Sequence, residues 1–259
     1  MALTIAGSDS GGGAGIQADL KAFARCGVHG TSAIVALTAQ NTVAVTAIHP
    51  VPPEMILDQV HAVASDIGVD AVKVGMLGDE RTIRAVATAL DELDGVPVVV
   101  DPVMVAEAGA VLLEPDAKGA LAELILPRAT VATPNLPEAR ELTGLGEGTS
   151  PEDLAAAVLR LRPAAVVVTG GHGSDGADVF MDAETVERIP GPYHPDGAAH
   201  GSGCTHSSAL AAFLARGMTP LEAARGARSV AAEAVRNGLR DVGSGPGPVD
   251  VLGIASRRD

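Results

Sequence analysis

Ala6-Gly7-Ser8-Asp9-Ser10-Gly11-Gly12-Gly13-Ala14-Gly15-Ile16-Gln17-Ala18-Asp19-Leu20 links a short apolar run, Leu3–Ala6, to a stretch that places Ile16, Leu20 and Phe23 on one helical face and stops at Gly27. Strand, glycine-rich turn and helix, in that order, open an α/β fold. Five glycines between positions 7 and 15 let a backbone approach a ligand closely, although a flexible turn has the same composition. Two phosphate-binding patterns can be tested against the turn. For the Walker pattern the gap from Gly7 to Gly12 is right, but Gly13 stands where the lysine belongs. The dinucleotide fingerprint reads literally at Gly13-Ala14-Gly15-Ile16-Gln17-Ala18, yet no Asp or Glu falls between Asp19 and Glu54 to hold a ribose.

Outward from this unit, strands and helices alternate. Ser32–Ala39 and Val43–Val51 read as strands, and Pro52-Pro53 introduces a helix through Ile56, Val60, Val63 and Ile67. Ala71–Gly75 and Val96–Val100 are almost continuously apolar, as parallel strands buried on both faces are. Helices are expected at Asp79–Leu93 and Asp116–Leu126, and strands at Thr130–Thr133 and Ala164–Thr169. Between those two strands, Ser150-Pro151-Glu152-Asp153 starts a helix with a capping serine and acidic residues in its first turn. Asp178–Met181 and Thr185–Ile189 form an expected antiparallel pair, and Cys204–Leu214 and Leu221–Asn237 close the chain as helices. The pattern predicts one domain over residues 1–259, a doubly wound, mostly parallel sheet with helices on both faces.

Composition narrows the partners. The formal net charge is −14 and aromatic residues make up 2% of the chain, which disfavours nucleic acid and anionic membrane surfaces. No apolar run approaches membrane-spanning length, the start lacks the features of a signal peptide, and Cys26 and Cys204 are too few for a disulfide framework. A cytoplasmic enzyme acting on small molecules is expected.

Three further stretches carry chemistry. Asp101 ends the Val96–Val100 strand, where open α/β sheets place ligands, and an N-cap or turn role fits equally. Asn135 and Glu138 in Thr133-Pro134-Asn135-Leu136-Pro137-Glu138 share a face of an incipient helix; they suit a hydrated Mg²⁺, and they also suit capping. In His200-Gly201-Ser202-Gly203-Cys204-Thr205, glycines allow a tight turn whose N–H groups converge at a helix start as an anion hole. Cys204 in that positive field is expected to have a lowered thiol pKa, the alternative being a small buried hydrophobe. His200, Cys204 and His206 lack the fourth ligand and the spacing of a zinc site.

Taken together, the opening stretch, Ala39-Gln40-Asn41-Thr42, Lys73-Val74-Gly75-Met76-Leu77, Asp101-Pro102-Val103-Met104, Thr133–Ala139 and the cysteine turn match, in order, the pattern of hydroxymethylpyrimidine/phosphomethylpyrimidine kinases of the ribokinase superfamily, which this chain resembles over essentially its whole length. The resemblance implies phosphoryl transfer from ATP, with Mg²⁺, to the hydroxymethyl group of a pyrimidine and then to its monophosphate, in a homodimer. It implies that Gln40 pairs with the pyrimidine while Gly7, Asp19, Met76 and Val103 shape its pocket. Thr169 and Gly171 would lie along the nucleotide, and Asn135, Glu138 and Asp101 would organise Mg²⁺. Gly201, Ser202 and Gly203 would cradle the transferring group, with Cys204 as catalytic base. Two departures stand out. Glu107-Ala108-Gly109-Ala110 replaces a common Lys-Ser-Gly-Asp, and Thr169 replaces a lysine before Gly-Gly-His. A pyridoxal kinase of the same family, a dinucleotide dehydrogenase and a non-enzymatic ligand-binding protein are the other readings.

Overall fold

In the computed structural model, which describes residues 1–107, 109–170, 176–194 and 198–254, strand alternation divides the interior into two layers. Leu3 and Ile5 of β1 (Ala2–Ala6), Val72 and Val74 of β5 (Ala71–Val74) and Val98 and Val100 of β6 (Val98–Val100) face one side of a sheet. There α2 (Pro53–Asp66), α3 (Glu80–Asp91) and α4 (Ala117–Ala120) cover them. Ala2, Ala71 and Val99 face the other side, under α1 (Gly15–Arg25), α7 (Ser202–Ala215) and α8 (Pro220–Arg236). Burying both faces explains why these strands read as continuous apolar runs.

Among the described residues the main sheet has eight strands, completed by β2 (Gly30–Ile34), β7 (Val131–Ala132), β8 (Ala165–Val168), β9 (Asp178–Asp182) and β10 (Val186–Ile189), in the order β10-β9-β8-β7-β6-β5-β1-β2. Pairing is parallel from β2 through β8 and antiparallel at β9 and β10. The chain leaves β1 toward β2 on one side and runs from β5 toward β6 on the other. That reversal opens a crevice at the carboxyl ends of β1 and β5. Helices α5 (Leu136–Thr143) and α6 (Pro151–Leu159) pack on β8 and β9.

Two expected elements divide. Ser32–Ala39 is not one strand. The Gln59 amide of α2 takes both the N–H and the carbonyl of Ile34, which ends β2, and the chain continues as β3 (Ala36–Gln40). β3 pairs antiparallel with β4 (Val45–Pro50) in a separate two-stranded sheet that stands largely exposed. The helix expected at Asp116–Leu126 widens after α4 into a π-helical stretch, Leu121–Ile125, then tightens into a 3-10 turn at Leu126–Arg128. Pro127 cannot donate the N–H that a regular α-helix would need there.

Candidate active site

Loops at the carboxyl ends of β1, β5, β6, β7 and β8 surround a cavity of about 330 Å³. The glycine-rich loop after β1 is built around an anion of its own. Asp9 is buried, and its carboxylate accepts the N–H groups of Gly11, Gly13 and Ala14 and meets His200 Nε2 at 3.1 Å. Burial alone would raise its pKa, but the His200 contact and these N–H bonds outweigh it and hold the carboxyl below the usual range. Converging N–H groups that would otherwise suit a phosphate are thus already used by Asp9. The glycines serve chain crossings too. Gly201 has φ +84°, and a Cβ there would lie 1.8 Å from the Gly13 carbonyl oxygen.

That crossing places Gly201 as the N-cap of α7, with Ser202, Gly203 and Cys204 forming the first turn along the cavity wall. The expectation of a low thiol pKa is corrected here. Loss of solvent around the sulfur, reinforced by the carboxylates of Asp19 and Asp101, pushes Cys204 up to about 12. The Lys73 charge and the Gly15 N–H pull the other way and lose. A helix terminus is a partial charge; two nearby full charges and burial exceed it.

Asp19 departs from its expected place. It does not line the cavity but lies wholly buried beneath its floor, and its carboxylate accepts from Thr4 Oγ1 (2.6 Å), Ser208 Oγ (2.7 Å) and Lys73 Nζ (3.0 Å to each oxygen). Lys73 is equally buried. Burial would lower its pKa, yet the attraction of Asp19 wins and keeps it charged above the ordinary lysine range. A pocket residue was expected; a buried ion pair supporting the pocket floor is found.

Asp101, Asn135 and Glu138 meet at one end of the cavity. Asn135 and Glu138 form a reciprocal capping box at α5, each side chain accepting the other's backbone N–H at 2.8–2.9 Å. Asp101 accepts from Ser207 Oγ at 3.0 Å. Burial and then the Asp101 charge raise Glu138 to about 8, and burial raises Asp101 as well, against the pull of Lys73. In the ligand-free protein, folded Glu138 keeps a proton that the unfolded chain, near 4.5, releases. Stability should therefore fall as pH rises between about 5 and 8. Melting curves across that range are expected to show a steeper loss in the wild type than in Glu138→Gln, which retains the cap and has no proton to lose. Parallel curves would assign the raised pKa to another group.

Gln40 at the end of β3, Gly7, Met76 and Val103 also line the cavity, and a Cβ on Gly7 would press on the Met76 sulfur at 2.7 Å. Thr169 also lines it, where its N–H bonds to the Pro134 carbonyl; Gly171 lies outside the described residues. The motifs did not single out Asp9, Lys73, Ser207, Asp178 or Arg228. The first two lay inside quoted motifs, Asp9 beside a histidine partner far away in sequence and Lys73 as a lone charge in an apolar strand.

The phosphomethylpyrimidine kinase family matches residues 9–250. The chain is 48% identical to the hydroxymethylpyrimidine/phosphomethylpyrimidine kinase of Rhizobium meliloti over 255 residues, 96% of each chain. It is 45% identical to the thiamine biosynthesis bifunctional protein ThiED of Geobacter sulfurreducens, covering 99% of this chain and 53% of that one. Among solved structures, the ADP complex of Bacillus subtilis pyridoxal kinase is similar with a TM-score of 0.89 and 36% identity, over 98% of both chains.

Proposed function

We propose, for a chain that belongs to the phosphomethylpyrimidine kinase family, that it transfers a phosphoryl group from ATP to 4-amino-5-hydroxymethyl-2-methylpyrimidine and then to its monophosphate, in thiamin biosynthesis. The observation that carries the reading is the opening of Gln40, Met76 and Val103 onto the same cavity as the Gly201–Cys204 turn. A flat heterocycle between Met76 and Val103, paired with the Gln40 amide, presents its hydroxymethyl oxygen toward that turn. The N–H groups at the start of α7 face the charge that grows on the transferring group. Cys204 stands where the hydroxyl proton must leave.

Mg²⁺ fits the residues present. Asp101 and Glu138 are buried carboxylates, both raised chiefly by burial, with the Asp101 charge adding to the rise of Glu138, and a divalent cation would favour the ionised form of each. Among the described residues no cluster of three His, Cys, Asp or Glu side chains holds a metal, so water and phosphate would complete the shell. Asp101, Asn135 and Glu138 would hold the ion, which supplies charge neutralisation along the polyphosphate. With Glu107 and Thr169 on the cavity wall in place of lysines, that neutralisation matters more.

We read residues 1–259 as one kinase domain that works in the cytoplasm as a homodimer, without nucleic acid or membrane. The exposed apolar side chains Leu37, Val43 and Ile48, on and between β3 and β4, support a contact with a second copy. No helix among the described residues is long and apolar enough to cross a membrane. The similarity to a pyridoxal kinase supports a second reading, in which pyridoxal is the acceptor.

Coupled ADP release with the pyrimidine alcohol, its monophosphate and pyridoxal in parallel separates the two readings. Turnover with pyridoxal alone would overturn the first. In the same assay Gln40→Leu should raise KM for the pyrimidine roughly tenfold to a hundredfold, the effect of about 1–3 kcal/mol for an unpaired amine, with an unchanged melting curve. An unchanged KM would remove Gln40 from the acceptor pocket.

A further inference from the structure

The same cavity also reaches a polar cluster assembled from three distant stretches: Asp178 at the start of β9, His206 in the second turn of α7 and Arg228 on α8. The side chains of Asp178 and His206 are 2% and 5% exposed. His206 Nε2 lies 3.2 Å from Asp178 Oδ2, and Arg228 Nε lies 3.9 Å from Asp178 Oδ1, but neither contact has hydrogen-bond geometry. Both ring nitrogens of His206, Asp178 Oδ2 and Arg228 Nε therefore stand without a hydrogen-bond partner. The rest of the cluster is firmly tied down. Asp178 Oδ1 accepts the N–H of Gly170, the residue after Thr169, and Arg228 Nη2 donates to the carbonyls of Gly176 and Pro192. Ala231, Ala232 and Val235 of α8 add an apolar wall beside it.

Unpaired polar atoms in a buried, rigid setting lower stability unless a ligand satisfies them. Their chemistry says which part of a phosphate donor suits them. A polyphosphate offers only acceptors, and Asp178 would repel it while offsetting the charge of Arg228. The nucleoside half offers hydrogen-bond donors, namely ribose hydroxyls and an exocyclic amine, together with acceptors for the histidine and arginine N–H groups. Resting on the kinase reading, we propose that Asp178 and His206 are the specificity-determining contacts for the hydrogen-bond-donating groups of the donor nucleoside, with Arg228 as the positioning residue that holds them.

Calorimetry with the wild type tests this directly, using ATP, 2′-deoxy-ATP, 3′-deoxy-ATP and inosine triphosphate. At least one analogue, the one lacking the recognised group, should bind roughly tenfold to a hundredfold more weakly than ATP, the range for losing a hydrogen bond to a charged group. Asp178→Asn keeps an oxygen for the Gly170 N–H. It should weaken ATP by a similar factor and erase the discrimination, leaving KM for the pyrimidine and kcat at saturating ATP within about twofold. Equal binding of all four nucleotides by the wild type would overturn the proposal. So would an Asp178→Asn protein whose donor and acceptor KM values rise together. Absence of turnover with every acceptor would instead overturn the kinase reading, and the nucleotide panel would still report on the cluster.

Discussion

Replacing Cys204 with alanine is expected to lower kcat by roughly 10²–10⁴ while leaving KM for the pyrimidine nearly unchanged, the signature of a lost proton acceptor. The sulfur sits in the first turn of α7, beside the N–H groups proposed above to face the transferring phosphoryl. Its thiol is nevertheless held up to about 12 in the free protein, because burial and the Asp19 and Asp101 carboxylates disfavour a second anion. Thiolate is therefore scarce near neutrality, and iodoacetamide should modify Cys204 slowly there, at a rate still climbing above pH 10. Neutralising Asp101 with a bound cation removes one of the two opposing charges, so Mg²⁺ should accelerate the modification. Cys204→Asp should retain more activity than Cys204→Ala and keep it at lower pH, since a carboxylate deprotonates below a thiol. A correctly folded Cys204→Ala protein with near-normal kcat would reduce Cys204 to a packing residue.

Lys73→Met is expected to cost about 3–5 kcal/mol, the range for stripping one partner from a buried ion pair. It would leave the Asp19 carboxylate in a dry interior with only the Thr4 and Ser208 hydroxyls as donors. Against a total stability of about 5–15 kcal/mol, that loss should be plain in a urea denaturation midpoint. Adding Asp19→Asn should recover much of it, because the remaining amide carries no charge. A Lys73→Met protein with the wild-type midpoint would show that the pair contributes nothing to stability.

The two residues of that pair show what one-dimensional reading can and cannot reach. Asp19 stands three residues after Ile16 and four before Phe23, squarely on the buried stripe of α1, and Lys73 interrupts the apolar run of β5. Each position announced a buried charge in need of a partner. Nothing local announced that the partner was the other, 54 residues away. Asp101, Asn135 and Glu138 were readable because strand ends and capping boxes are local patterns, and the layered sheet was readable from its apolar runs. The Cys204 pKa was misread because a helix terminus is visible in the sequence, whereas the carboxylates that overrule it arrive from α1 and from the end of β6. The split of Ser32–Ala39 depends on a single glutamine of α2 reaching back to Ile34.

The resident anion of the first loop also sets an order of events during synthesis. Asp9 meets His200 across 191 residues, and Gly201 crosses the Gly13 carbonyl with no room for a side chain. Drawing together ends so far apart is among the slower steps available to a folding chain. A nascent polypeptide can lay β1, β2 and β5 side by side early, because all three lie within its first 74 residues. Its opening loop must nevertheless wait for residue 200 of 259 to leave the ribosome before it is clasped. The cavity consequently has no finished wall in any shorter intermediate, and the ability to bind a substrate arrives with the last helices rather than growing with the sheet.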